Sequence, residues 1–311
     1  MSTPLSPALS PLGEREGEGD AESREMSTGY RIVKKEVYSP VTYMWEVEAP
    51  DVARVAQPGH FLMVRMNEQG ERIPLTVADF DRRRGTVTVV IQAVGKSTRE
   101  MMQLEEGDSI LDFIGPLGEA SHIQKRSKVI LVGGGLGVAP VYPQLRAYKE
   151  LGSTTISIIG FRTQSLVFWE DKFRAMSDEL HIATDDGSYG HRGFVSQVLQ
   201  LLLEGKDRDA EEVVAIGPLP MMKACCEVSR PFGVRTMVSL NSIMVDGTGM
   251  CGSCRVTVGG KLKFACVDGP DFDGHQVDFE ELMLRQRRFQ REEQESLKRY
   301  EEECRLLGHN A

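Results

Sequence analysis

At residue 128 the hydropathy of the chain changes period, and this restricts the possible folds more than any other feature. Residues 128–132 form a continuous apolar run, which reads as a fully buried strand. A glycine-rich turn, Gly133-Gly134-Gly135-Leu136-Gly137, follows it, and a helical pattern runs from about Ala139 to Leu151. Strands at 155–160, 180–184 and 213–217 then alternate with helical patterns at 168–177, 193–204 and 219–230. Such alternation predicts a doubly wound parallel sheet with helices on both faces.

Upstream the pattern is different. Candidate strands at 43–49, 60–66, 73–80, 85–94 and 109–114 are short, β-branched and separated by turns, a spacing that predicts a small β-barrel. Gly-Pro-Leu-Gly at 115–118 marks the turn leaving it. Residues 1–28 are rich in Ser, Pro, Gly and Glu and read as a disordered tail, because they cannot bury enough surface to offset their ordering entropy. The expected organisation is a barrel over 29–125, an α/β domain over 126–238, a cysteine-bearing loop domain over 239–278 and a terminal helix over 279–311. The helix is read from Phe279, Leu282, Met283, Leu297, Tyr300, Cys304 and Leu307 at three- and four-residue steps. It either docks on its own domain or clamps a partner subunit.

Composition narrows the function. A chain of 311 residues, 41% of them hydrophobic, has room for about two cores. Its 46 acidic against 37 basic residues leave a net charge of −9, which argues against the basic face that a nucleic-acid binder needs. No apolar run approaches the roughly 18 residues of a membrane helix. Six cysteines, three of them in one short loop, point to metal ligation in a reducing cytoplasm rather than to disulfides.

The loop Asp246-Gly-Thr-Gly-Met-Cys251-Gly-Ser-Cys254, closed by Cys266, follows the plant-type [2Fe–2S] spacing C-x4-C-x2-C…C, with Asp246 in the place of the first cysteine. A carboxylate oxygen ligates ferric iron, so Asp246, Cys251, Cys254 and Cys266 make up four ligands. Structural zinc is the alternative, because three thiolates and one further donor also satisfy a tetrahedral ion. The small residues around Cys251 and Cys254 favour the cluster, whose sulfurs accept backbone N–H bonds. Cys225 and Cys226 sit on a helical pattern and read as core thiols.

Glycines 133, 134, 135 and 137 stand where a first strand turns into a first helix, and they let the backbone approach a pyrophosphate there. Pro140 occupies the place of the last fingerprint glycine. These features point to NAD(H). Two later strand ends carry further candidates. Asp185 and Asp186 either receive ribose hydroxyls or order an Asx-type turn; Gly217, Pro218 and Met221 either line the nicotinamide or cap a helix. In the barrel, Arg72-Ile73-Pro74-Leu75-Thr76 offers a guanidinium fork for a phosphate and a hydroxyl for a flavin ring held against the Pro74–Leu75 backbone. Gly95-Lys96-Ser97-Thr98 adds a second turn for the same pyrophosphate. Taken alone, an Arg–Thr pair on a strand is ordinary solvated surface.

With Arg-x-Pro-x-Thr, Gly-Gly-x-Gly-x-Ala-Pro and the cysteine loop in this order, the chain resembles the ferredoxin–NADP⁺ reductase superfamily. Within it, the chain is similar to the electron-transfer subunits of dihydroorotate dehydrogenase, of sulfhydrogenase and, most closely, of electron-bifurcating NADH-dependent ferredoxin:NADP⁺ oxidoreductases. The resemblance spans about residues 30–290. It rests on residues 72–76, Ala183-Thr-Asp-Asp-Gly-Ser-Tyr-Gly190, Ser239-Leu-Asn241, Met244-Val-Asp246-Gly-Thr-Gly-Met-Cys251-Gly and Phe264-Ala-Cys266-Val-Asp268-Gly-Pro. It implies FAD in the barrel, NAD(H) on the α/β domain, and a [2Fe–2S] cluster wired to a larger flavin and iron–sulfur subunit like the small subunit of glutamate synthase. Ferredoxin is then met only indirectly. The dihydroorotate-type subunits carry cysteine where this chain has Asp246, which favours the bifurcating branch.

Overall fold

The computed structural model describes residues 29–307, so the predicted tail 1–28 lies outside the described residues. The first half contains β1 (Tyr30–Ser39), β2 (Thr42–Glu48), α1 (Pro50–Val55), β3 (Phe61–Arg65), β4 (Ile73–Thr76), β5 (Asp79–Asp81), β6 (Thr86–Gln92), α2 (Lys96–Met102), β7 (Ser109–Ile110) and β8 (Asp112–Leu117). Its strands pair antiparallel in two sheets, β5-β6-β2-β1-β7 and β4-β3-β8. Both face one core in which Tyr43, Trp45, Leu62 and Phe113 are fully buried. The barrel is therefore two facing sheets and not a closed ring of hydrogen bonds.

Two predicted strands break at its corners. Within 73–80, Val77 N–H donates to the His60 carbonyl and the next residue, Ala78, donates to Thr88, both at 2.9 Å. Successive residues thus belong to different sheets. Val77 and Ala78 are both buried, so the apolar pattern continues through a corner where the pairing does not. The same happens at Leu111, between β7 and β8, whose N–H bonds to Met66. Strand β1 was not expected: Lys34, Lys35 and Glu36 mask its alternation, although Lys35 Nζ is satisfied by the Met102 carbonyl and Glu105, each at 2.7 Å.

The second half contains β9 (Lys128–Gly134), α3 (Val138–Glu150), β10 (Thr154–Phe161), α4 (Glu170–Met176), β11 (Glu179–Thr184), β12 (His191–Arg192), α5 (Val195–Glu204), β13 (Glu212–Ile216), α6 (Leu219–Ser229) and β14 (Arg235–Ser239). These strands run parallel in the order β12-β11-β10-β9-β13-β14. Helix α3 packs with α4 on one side, and α5 with α6 on the other. The α3 side also buries Met44, Ala78 and Val90 of the barrel, which join the two halves through one core.

The cysteine segment adds the hairpin β15 (Arg255–Val258) and β16 (Lys261–Phe264), and then β17 (Asp271–Asp273), which pairs antiparallel with β14. The large sheet is thus mixed at that edge, where a wholly parallel sheet was expected. The predicted terminal helix is two helices, α7 (Phe279–Gln286) and α8 (Gln290–Leu307). Asp278 caps α7 by accepting from Glu281 N–H at 2.9 Å, and Phe279 and Leu282 bury against the cysteine segment. Helix α8 instead docks Tyr300 and Cys304 toward α2 of the barrel. Apolar residues are sparse between Met283 and Leu297, so two separate stripes face two different surfaces, which one straight helix cannot reach.

Candidate functional site

From β9 the chain winds outward through β10 and β11, then crosses to β13 on the other side of β9. The crevice between the carboxyl ends of β9 and β13 is therefore the topological switch point, where open α/β sheets bind ligands. The two turns there interlock. A Cβ on Gly137 would collide with the Ile216 carbonyl oxygen, and one on Gly134 with Met221 Sδ. On Gly133 it would stand 2.8 Å from Val138 Cα, and on Gly217 3.0 Å from the Gly134 carbonyl oxygen. Gly135 has φ +54° and faces open space. The structure thus brings Gly133, Gly134, Gly135 and Gly137 together with Gly217, Pro218 and Met221 at the start of the 13-residue α3.

The two adjacent aspartates separate. Asp186 Oδ1 accepts from Ser188 Oγ at 2.6 Å and Ser188 N at 2.9 Å, which holds its carboxyl below the ordinary range and orders the turn. Asp185 anchors its backbone on the Phe161 carbonyl at 3.0 Å and presents an exposed side chain at the end of β11.

On the barrel side, Pro74 is exposed, Leu75 is buried and Thr76 is half-buried opposite Phe61 of β3. Arg72 is half-exposed, 3.7 Å from Asp112 Oδ2, an oxygen that Arg65 Nε already holds at 2.7 Å. Ser97 Oγ donates to Glu71 Oε2 at 2.7 Å, so the approach to β4 and the start of α2 are joined. Gly95 is the residue before α2, with open space around it. Lys96 Nζ lies 3.8 Å from Glu100. Thr98 is occupied elsewhere: its hydroxyl accepts from Val94 N and Gly95 N at 3.1 Å, a helix cap. Glu71 and Asp112 were not singled out in the sequence; their only signal there is adjacency to Arg72 and charge on a strand start.

In the cysteine loop, positive φ at Gly247, Gly249 and Gly252 winds the backbone inward. Cys254 and Cys266 are buried with their sulfurs 3.1 Å apart, and Cys251 is exposed. Among the described residues, no three His, Cys, Asp or Glu side chains already converge as a metal cage. The surroundings nevertheless fit an iron–sulfur group. The Ser253 hydroxyl and the backbone amides of Ser253, Asp246 and Val245 surround the Cys251 thiol and lower its pKa. Burial pushes the Cys266 thiol up to about 12, with the Gly249 amide acting in the opposite sense. Amides around the sulfurs suit an iron–sulfur group, whose potential such donors tune. Asp246 Oδ2 accepts from Thr248 Oγ1 at 2.6 Å, Thr248 N at 2.9 Å and Met250 N at 3.3 Å. These bonds, and Arg72 more remotely, hold Asp246 ionised and leave Oδ1 for a metal.

A cleft of about 810 Å³ lies apart from these residues, between the barrel and α4. Its wall is aromatic: Trp169 Nε1 donates to Tyr38 Oη at 2.7 Å, and Lys172 Nζ sits 4.0 Å over the Trp169 ring. Trp169 has φ 60°, a left-handed conformation unusual for a bulky residue. None of the expected cofactor residues lines this cleft.

Known proteins resemble the chain over most of its length. Residues 241–278 match the model of the iron-sulfur cluster binding domain of dihydroorotate dehydrogenase B. The chain is 45% identical over 269 residues to a Thermotoga maritima homolog of the dihydroorotate dehydrogenase B (NAD(+)) electron transfer subunit, covering 86% of this chain and 94% of the relative. It is 32% identical to the electron transfer subunit of dihydroorotate dehydrogenase B (NAD(+)) from Bacillus caldolyticus, covering 79% and 96%. A structure of NADH-dependent reduced ferredoxin-NADP oxidoreductase, solved for flavin-based electron bifurcation, superposes with a TM-score of 0.83 at 44% identity, covering 87% of this chain and 97% of that one. Among the described residues, no helix is long and apolar enough to cross a membrane. With its two-sheet barrel, its switch-point crevice and its cysteine loop in this order, the chain belongs to the family of dihydroorotate dehydrogenase B-type electron transfer subunits.

Proposed function

We propose that the chain is the electron-transfer subunit of an NADH-dependent ferredoxin:NADP⁺ oxidoreductase-type complex, exchanging electrons between NAD(H) and a larger flavin and iron–sulfur subunit. One arrangement carries this reading: the cysteine loop rests on the small sheet that bears Pro74, Leu75 and Thr76. A Cβ on Gly247 would stand 2.8 Å from Met63 Cγ and 3.0 Å from Leu117 Cδ1, in β3 and β8, and β3 pairs directly with β4. FAD, when bound, supplies the interchange between hydride and single electrons, and the [2Fe–2S] group supplies single-electron carriage. The protein's part is placement. The Gly133–Gly137 turn and the start of α3 receive the dinucleotide pyrophosphate, Asp185 receives a ribose hydroxyl, and Gly217, Pro218 and Met221 shape the nicotinamide side. Arg72, Lys96 and Ser97 hold the flavin diphosphate, and Pro74, Leu75 and Thr76 hold its ring. Val245, Met250 and Val267 are exposed around Cys251, an apolar rim suited to a larger subunit like the small subunit of glutamate synthase, through which ferredoxin is reached.

Service to a dihydroorotate dehydrogenase is the second reading, supported by the matched domain over 241–278. Asp246 in place of cysteine weighs against it. Anaerobic purification tests the main reading: a flavin envelope with an iron–sulfur shoulder, bleached by NADH, is expected. A colourless, zinc-loaded chain would overturn it. The partner that co-purifies from native cells separates the two complexes.

A further inference from the structure

Arg255 and Arg285 flank the Cys251–Cys254 turn without a carboxylate of their own. Arg285 is half-buried in the last turn of α7, and its Nη2 donates to the Ser253 carbonyl oxygen at 3.5 Å. Ser253 lies between the two cysteines of that turn. Gln286 fixes this end of α7 by donating to the carbonyl and side-chain oxygens of Asn241 at 2.8 and 3.1 Å. Arg255 follows Cys254 and opens β15; its Nη1 lies 4.0 Å from where a Cβ on Gly252 would stand. Among the described residues, no Asp or Glu oxygen comes within 4.0 Å of either guanidinium, whereas the nearby Lys263 is neutralised by Asp268 at 2.9 Å.

We infer that Arg285, and to a smaller extent Arg255, raise the reduction potential of the iron–sulfur group held by Asp246, Cys251, Cys254 and Cys266. The inference rests on the reading of that loop given above. Three thiolates and a carboxylate make the assembly anionic, and one added electron makes it more so. An unneutralised cation beside it therefore favours the reduced form, which is how charge near a cluster sets its potential. Coulomb energy weakens as solvent raises the local dielectric, so half-buried Arg285 outweighs exposed Arg255. Salt screens the exposed charge over about 8–10 Å at ordinary ionic strength. Both arginines act through the field and touch no reacting atom, so they are positioning residues for charge.

The test is a redox titration of the full chain, followed by the paramagnetic signal of the reduced cluster, after iron content has been measured. Arg285→Gln is expected to shift the potential to more negative values with iron unchanged, and Arg285→Lys to restore most of it. Arg255→Gln should give a smaller negative shift that disappears at high salt. A merely structural Arg285 would lower Tm and leave the potential where it was; that result, or a shift that Lys does not restore, overturns the inference. Should Arg285→Gln lose iron, the difference in potential between wild type and Arg255→Gln decides: it is expected at low salt and absent at high salt, and no difference at low salt overturns the inference. A wild-type chain without iron sinks the underlying reading as well, and iron content reveals this before any titration.

Discussion

Arg99 Nη1 donates to Glu301 Oε1 at 2.8 Å, joining residues 202 positions apart and tying α8 to the helix that begins at Lys96. Tyr300 and Cys304 are buried beside this pair. The pair is partly exposed and is expected to contribute about 1 kcal/mol, whereas truncating a buried aromatic costs about 3 kcal/mol. Tyr300→Ala should therefore lower Tm clearly and release FAD on desalting, while Glu301→Gln should do little of either. Calorimetry and flavin absorbance check this, and equal losses would show that the ion pair is the stronger element.

The crowded glycines rank by what they meet. Gly137→Ala sets a methyl against the Ile216 backbone carbonyl, which cannot move aside, and Gly134→Ala sets one against the flexible Met221 side chain. Gly137→Ala should raise KM for NADH at least about tenfold, corresponding to a loss of about 1.4 kcal/mol. Gly134→Ala should cost less and be partly relieved by Met221→Ala. Equal effects in steady-state kinetics would refute the interlocked turns.

Asp246→Cys should retain iron and move its potential, because a thiolate replaces a harder oxygen donor. An unmoved potential in the redox titration would argue against direct ligation by Asp246.

Asp271 is the buried carboxyl that joins the parts of the molecule. Its Oδ2 accepts from Ser121 Oγ at 2.6 Å, in the link after the barrel, and from Gln144 Nε2 at 3.2 Å on α3. Its Oδ1 has no partner among the described residues. Burial raises its pKa above the ordinary carboxylate value. A carboxyl raised on folding favours the folded state most fully below its unfolded value, and this contribution is lost as pH rises through the folded value. Asp271→Asn removes that dependence, so its Tm relative to wild type should climb from the acid range toward alkaline pH. A flat difference in thermal melts would refute it.

How much of this was legible in the sequence follows from what each element needs. Strand β9 and its glycine turn were readable, because a strand buried on both faces must be continuously apolar. The corners at Val77 and Leu111 were not, because apolar residues run on through them while hydrogen-bond partners change. Strand β14 is a short, five-residue alternation, and β17 is placed by pairing from a distant segment. At the site, the cysteine spacing and the glycine turns were readable from residue type alone. The occupation of Thr98 by a cap, the turn-ordering bonds of Asp186 and the link from Glu71 to Ser97 depend on side-chain direction, which spacing does not encode.

Strand β17, supplied from beyond the last cysteine, closes an edge of the dinucleotide sheet that would otherwise leave the amides of β14 open to strangers. The iron-binding unit is thus not a detachable module. Gene fusion, excision or grafting at residue 241 would expose a sticky border, and any lineage that gained or shed this unit had also to rebuild the margin of its neighbour.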